Sequence, residues 1–196
     1  IEELVKRGIT VSVDTMKHQV AQAAIDAGVQ VVNDVTGFRD PKMIEVCAAS
    51  QCFVCIMHMQ GTPQTMQENP QYEDVVTDVR RELLLAAARC EETGIDQHRI
   101  WIDPGIGFGK TTEHNLALLH NLKAFAGTGY PTLVGVSRKS FIGKILGTSD
   151  HPLPVNQRLA GTLAAQTLAQ ANGARIIRAH DVKESRHAIE IAARLT

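Results

Sequence analysis

The sequence predicts an α/β domain in which parallel strands are wrapped by helices. Three observations carry this reading. Short apolar, β-branched runs alternate with helical patterns six times along the 196 residues. Glycine stands directly after three of the helical patterns, with an apolar run following each time. Nearly every apolar run also ends in polar residues that do not suit a core. Continuous apolar runs bounded by helices indicate parallel strands covered on both sides. A doubly wound sheet and a (β/α) barrel both satisfy that grammar.

The elements follow in order. Residues 1–8 (IEELVKRG) read as the last turns of a helix with Gly8 as its stop. The strand runs are 9–13, 29–32, 52–57, 99–102, 132–136 and 175–179. The helical patterns are 17–27, 41–49, 75–93, 116–125, 140–146 with 158–172, and 184–195. Gly28, Gly94 and Gly173 sit where a left-handed residue ends a helix. Two polar, proline-containing stretches, 60–74 and 147–157, are read as loops. A chain that opens on the tail of a crossover helix is expected to have lost what came before it. A closed barrel needs eight units and about 250 residues. The expectation is therefore one barrel domain over 1–196, incomplete at its N-terminus, with six βα units present and two missing.

Composition excludes several classes. Hydrophobic residues make up 44%, charged residues 21%, and the formal net charge is −1. The basic residues are scattered, so no nucleic-acid footprint or polybasic membrane patch is expected. No apolar run approaches the roughly 18 residues that cross a bilayer. Cys47, Cys52, Cys55 and Cys90 do not form a disulfide framework, which favours a reducing, cytoplasmic setting. Cys52-Phe-Val-Cys55 has zinc-like spacing, but on a strand these side chains point to opposite faces. They are read as buried structural thiols.

The chemistry gathers at the strand ends: Asp14, Asn33-Asp34, His58, Asp103, Ser137-Arg138-Lys139, and Arg178 with His180. Polar groups at the same end of parallel strands trace a site at the C-terminal mouth of a barrel. Strand alternation puts Ser12 with Asp14, Gly135 with Ser137 and Lys139, and Ile176 with Arg178 and His180. Asp14, Lys139, Arg178 and His180 should converge, while Arg138 and Asp181 point elsewhere. Carboxylates and the Asn33 amide suit a flat, donor-rich heterocycle, and Arg178 with His180 suit an anion. Ser140 opens a helix, which also favours an anion. A helix cap or turn accounts equally well for any single strand-end Asp, and a structural hydrogen bond for His58. Gly109-Lys110-Thr111 ends like a phosphate-binding P-loop, but Pro104 stands where the first glycine belongs. The alternating Gly105, Gly107 and Gly109 instead permit positive φ and close backbone approach.

The blocks VSVDT, VVNDVTG, MHMQGTPQTMQ, DPGIGFGK, GVSRKSFIG and IIRAHDV resemble, in order and approximate spacing, those of the dihydropteroate synthase family. The resemblance covers the whole chain and implies a TIM-type (β/α)8 barrel. It implies an enzyme that joins p-aminobenzoate to a dihydropterin pyrophosphate, releasing pyrophosphate, and that sulfonamides inhibit. It implies pterin recognition by Asp14, Asn33, Asp103 and Lys139, with Val35, Met57, Phe108 and Gly135 lining the pterin slot. Lys139, Asp103 and Asp14 are the implied catalytic residues. Arg178 and His180 are implied on the pyrophosphate side, and Ser140 and Arg138 near the aminobenzoate.

The family's metal-binding and aminobenzoate-closing blocks do not occur in this sequence. The resemblance therefore implies Mg²⁺ in the complete enzyme, no metal ligand in residues 1–196, and a chain that by itself does not turn over. A homodimer formed through 158–172 and 184–195 is also implied. A pterin-dependent methyltransferase and a non-catalytic pterin-binding fragment are the alternative readings.

Overall fold

The computed structural model describes residues 1–195. A short helix, α1 (Glu2–Lys6), leads through Gly8 into β1 (Ser12–Asp14). There follow α2 (His18–Asp26), β2 (Val31–Asp34), α3 (Pro41–Ala48), β3 (Phe53–Met57) and α4 (Val75–Glu92). The chain continues through β4 (Ile100–Asp103), α5 (Thr112–His120), α6 (Lys123–Ala126) and β5 (Leu133–Val134). It ends with α7 (Ser140–Leu146), α8 (Leu159–Ala171), β6 (Ile176–Ile177) and α9 (Val182–Ala192).

Local sequence explains most boundaries. Asp40 accepts the Lys42 amide at 3.0 Å and Pro41 opens α3, where its missing N–H costs nothing. Asp74 caps α4 through the Thr77 amide at 2.6 Å. Thr111 and His114 form a reciprocal capping box, which starts α5 at Thr112, four residues ahead of the expected 116. Gly28, Gly94 and Gly173 take φ of 90°, 103° and 101°. A side chain there would be strained, so glycine ends α2, α4 and α8 and turns the chain into the next strand.

The strands form a curved parallel wall. β1-β2-β3-β4 pair in sequence order, β5 pairs with β6, and the bridge Ile102–Thr132 joins the two sheets. Among the described residues, no strand pairs with the outer edge of β1 or of β6, so the wall is six strands of an open barrel. Val32, Val54, Ile56, Ile100, Ile102 and Val134 face outward into the main core with α2–α6. Leu83 and Val79 of α4, Leu118 of α5, and Phe125 of α6 complete that layer. The inner face carries Ser12, Val31, Cys55, Trp101, Leu133 and Ile176. Phe53 and Trp101 stack there at 5.3 Å. Inner side chains become polar toward the strand C-termini, as Asp14 aligns with Asn33 and Met57 with Asp103.

Asp34 illustrates how a strand end becomes structural. It is fully buried, and its carboxylate accepts the Thr36 amide at 2.8 Å, the Thr36 hydroxyl at 2.7 Å and the Phe38 amide at 3.0 Å. Those bonds hold Phe38 at φ 55°, a conformation a bulky residue rarely adopts. Replacing Asp34 with Ala strands these donors. The variant should lose about 2–4 kcal/mol of stability, read as a lower urea midpoint, while the far-ultraviolet spectrum keeps its native shape.

Candidate functional site

The C-terminal ends of the strands enclose one cleft of about 340 Å³. Asp14, Asn33, Val35, Met57, Asp103, Phe108, Gly135, Lys139, Arg178 and His180 all line it, together with Ser137. Each enters from the end of a strand or from the loop after it. Asn33 Nδ2 donates to Asp14 Oδ1 at 2.9 Å, and Arg178 Nη1 donates to the same oxygen at 3.0 Å. Arg178 Nη2 reaches the other carboxylate oxygen. This pair links the end of β6 to the end of β1 across the open side of the wall. Burial works against the Asp14 charge, yet the bonds from Arg178 and Asn33 hold its carboxyl below the usual range. Asn33 Oδ1 is buried and has no hydrogen-bond partner.

Asp103 lies deeper. It is 6% exposed, and Oδ1 accepts the Gly105 amide at 2.7 Å. Burial pushes its pKa up, against the pull of Lys139, the Gly105 N–H and Lys110. The loop it starts, 104–110, folds back tightly. Gly105, Gly107 and Gly109 take φ of 67°, 82° and 63°. A Cβ on Gly105 would lie 1.9 Å from the His58 carbonyl oxygen, so no other residue fits. The loop then wraps Lys139. Lys139 Nζ donates to Ile106 O and stands 4.7 Å from the centre of the Phe108 ring. Burial lowers the Lys139 pKa to about 8, with Asp103 opposing and Arg178 adding to the shift.

Arg138 explains how Lys139 is aimed. Arg138 takes φ 57°, a left-handed backbone for a long side chain. Its amide donates to Thr162 Oγ1 at 3.0 Å, and its carbonyl accepts from Arg158 Nη1 at 3.0 Å. Its guanidinium is committed to Asp181, with Nε donating to Oδ2 at 2.9 Å and Nη2 to Oδ1. The expected divergence of Arg138 and Asp181 from the mouth is therefore a mutual pairing, and the structure does not bring Arg138 to the cleft. Ser140 is exposed at the first turn of α7 and does not line the cleft either. His180 does line it, and its Nδ1 lies 2.9 Å from Ser137 Oγ.

A model of the pterin binding enzymes matches residues 1–180. The chain belongs to the pterin-binding enzyme family. It is 42% identical over 183 residues to the dihydropteroate synthase of Escherichia coli K12, covering 93% of this chain and 63% of that protein. The dihydropteroate synthase of Thermus thermophilus in complex with 4-aminobenzoate superposes with a TM-score of 0.93 at 40% identity. That match covers 100% of this chain and 74% of the other. The same enzyme in complex with 6HMPPP gives a TM-score of 0.92 at 40% identity, over 99% of this chain and 75% of the other. The chain thus spans less than two thirds of its Escherichia coli relative's length, and it has the TIM-barrel fold of the family with the wall open.

The reading of sequence alone missed Lys110. It is 3% exposed, and Nζ donates to His58 Nδ1 at 3.0 Å and to Phe108 O at 3.0 Å. His58 Nε2 lies 3.2 Å from Glu82 Oε2, so His58 is neutral with its proton toward Glu82. Burial and the Lys110 charge lower the His58 pKa to about 3. The near-match to a P-loop lysine is thus resolved: Lys110 turns inward and pins the glycine loop to the end of β3. The signal was the lysine itself, set directly after three alternating glycines that permit close backbone approach.

Among the described residues, no three His, Cys, Asp or Glu side chains stand close enough to hold a metal ion. The Asp14 and Asp103 carboxylates are each already engaged.

Burial lowers the Lys110 pKa from 10.5 to about 7. Between those values the unfolded chain carries the extra proton, so stability rises with pH, by at most about 1.4 kcal/mol per pH unit for each such group. Below about pH 7 the penalty for burying the charge is fully present. Urea midpoints at pH 7 and pH 9 should therefore rise more steeply for the parent chain than for Lys110→Met. Equal slopes would remove Lys110 as the cause.

Proposed function

We propose that this chain is the pterin-binding portion of a dihydropteroate synthase. The reaction condenses 6-hydroxymethyl-7,8-dihydropterin pyrophosphate with p-aminobenzoate, giving 7,8-dihydropteroate and pyrophosphate. One observation carries the reading. Asp14, Asn33, Asp103 and Lys139 meet in a single cleft with Arg178 and His180. A pterin ring presents several N–H donors on one edge and a flat apolar body. Asn33 Oδ1 and the Asp103 carboxylate accept from that edge, while Met57, Val35 and Phe108 contact the faces. Lys139 donates from the opposite side.

The chemistry follows from charge. Departure of pyrophosphate leaves positive charge on the pterin methylene and negative charge on the leaving group. Asp14 and Asp103 lie near the first, and Arg178 and His180 face the second. The aniline nitrogen of p-aminobenzoate then attacks the electron-poor carbon without a strong base. The Ser140 hydroxyl, exposed at the first turn of α7, is assigned to the carboxylate of that substrate. Only Arg178 and His180 supply positive charge to the leaving group, so pterin binding without turnover is expected of the 196-residue chain.

Sulfonamides compete at the aminobenzoate position. Four free, buried thiols suit a cytoplasmic setting. No helix among the described residues is long and apolar enough to cross a membrane. An apolar groove on α5, α7 and α8, edged by exposed Leu116, Ile145, Leu146 and Leu168, supports a homodimer.

Calorimetric titration with 6-hydroxymethylpterin tests the assignment. The parent chain should bind. Asp103→Asn and Lys139→Ala should each weaken binding by about tenfold to a hundredfold, the loss of one charged hydrogen bond. Binding that ignores both substitutions would sink the assignment of this cleft, and absence of binding by the parent would sink the reading as a whole.

A further inference from the structure

The glycine loop 104–110 has little of its own to hold its middle in place. Phe108 N donates to Gly105 O at 3.0 Å and closes a turn around Ile106 and Gly107. Glycine leaves the backbone free to take other paths, so the path seen here must be fixed from outside. Among the described residues, the N–H and the C=O of Gly107 both go to side chains. The geometry points to those two side chains, Asn115 and Gln67, as positioning residues that hold Gly107 and thereby aim Lys139 into the cleft. The inference deepens the pterin reading and rests on it for the ligand.

Asn115 sits on the inner side of α5 at 3% exposure. Its Oδ1 accepts the Gly107 amide at 2.7 Å, and its Nδ2 donates to Thr111 O at 2.7 Å. A buried amide is costly unless both ends are bonded. Here both are, and they tie the middle of the glycine loop to the start of α5. Gln67 comes from the polar stretch 60–74, and its Nε2 donates to Gly107 O at 2.7 Å. That stretch is itself closed at its base. Gln60 Nε2 donates to Gln71 O at 2.7 Å, and the Gln71 amide returns a bond to Gln60 Oε1 at 3.0 Å. Tyr72 OH adds a bond to Gly109 O at 2.7 Å.

The link to Lys139 is steric as well as polar. A Cβ on Gly107 would lie 3.2 Å from Lys139 Cδ, so the lysine stem rests on this glycine. The residues on either side supply Ile106 O to the ammonium and the Phe108 ring beside it. Arg138 fixes where the Lys139 side chain starts, and Gly107 fixes where it lies. Neither Asn115 nor Gln67 lines the cleft, so both act through Lys139.

Calorimetric titration with 6-hydroxymethylpterin tests this on the 196-residue chain. Gln67 is exposed, so Gln67→Ala leaves the packing intact. It should weaken binding about threefold, and Asn115→Ala about tenfold, the range of one neutral hydrogen bond. In a Lys139→Ala background each loss should shrink below about 1.5-fold, because residues acting through one another are not additive. A residue that only supports the fold would cost the same in both backgrounds. No loss from Gln67→Ala in the parent, or an undiminished loss without Lys139, would overturn the proposal. Gln67→Ala decides it even if Asn115→Ala does not fold.

A second readout needs no pterin. Acetic anhydride reacts with the neutral amine, so labelling of Lys139 across pH, read by peptide mass spectrometry, follows its titration. The parent midpoint should lie near 8, and Gln67→Ala should move it up toward the ordinary 10.5 as the ammonium gains water between Asp103 and Arg178. An unmoved midpoint would overturn the proposal. Should the parent bind no pterin, the ligand assignment falls, and the labelling midpoint alone decides whether Gln67 positions Lys139.

Discussion

The architecture of the cleft depends on one constraint: the Asp103 carboxylate is buried at the exit of β4 and must be compensated there. A carboxylate taken out of water needs opposite charge and hydrogen bonds at short range. Gly105 supplies an amide, and Lys139 and Lys110 supply charge from two sides. Each lysine is itself depressed by the same burial, so none of the three charges is comfortable without the others. That mutual dependence accounts for the loop that follows Asp103. It must pass within contact of the His58 carbonyl, present Ile106 O to Lys139, and still return to start α5. Only a chain with glycine at 105, 107 and 109 can make that path.

The adjacent cations of Arg138 and Lys139 divide the labour. A residue held in the left-handed region costs about 1–3 kcal/mol and persists only when its surroundings over-determine it. Thr162, Arg158 and Asp181 do so by gripping the amide, the carbonyl and the guanidinium of Arg138. The turn so fixed delivers Lys139 onto the glycine loop. Arg138 therefore acts through Asp181 and the backbone, and α8 and the start of α9 become parts of the site's support. Thr162 and Asp181 do not line the cleft, yet the position of the Lys139 ammonium follows from them.

Much of this was legible in the sequence because it rests on local rules. Glycines after α2, α4 and α8, the Pro41 and Asp74 helix starts, and polar residues at strand ends all act over a few residues. The strands themselves lie one to three residues C-terminal of the apolar runs or inside them, since β-branched residues continue into the connecting turns. β5 and β6 shrink to two paired residues each. Face assignment by alternation placed Asp14, Lys139, Arg178 and His180 together, since a parallel wall fixes which side chains point inward. Lys110 and its partner His58 escaped because their link spans 52 residues and depends on how the glycine loop folds over the end of β3. The pairing of Arg138 with Asp181 escaped because a positive φ at a non-glycine residue is a tertiary effect.

The two ends of β3 show why the same chain carries two kinds of buried charge. At the cleft end, water and ligand reach the groups, so opposite charges from β4, the glycine loop and α7 compensate one another and still exchange partners with a substrate. At the other end, Arg99 is enclosed by backbone carbonyls and thiols, and among the described residues no carboxylate pairs with it. The Ser50 and Cys52 carbonyls accept from that guanidinium and offset part of the cost of burying it. The buried stretch Val54–Ile56 lies between the two ends. Compensation must then be solved twice along one strand, once by opposite charges that a ligand can reach and once by backbone carbonyls.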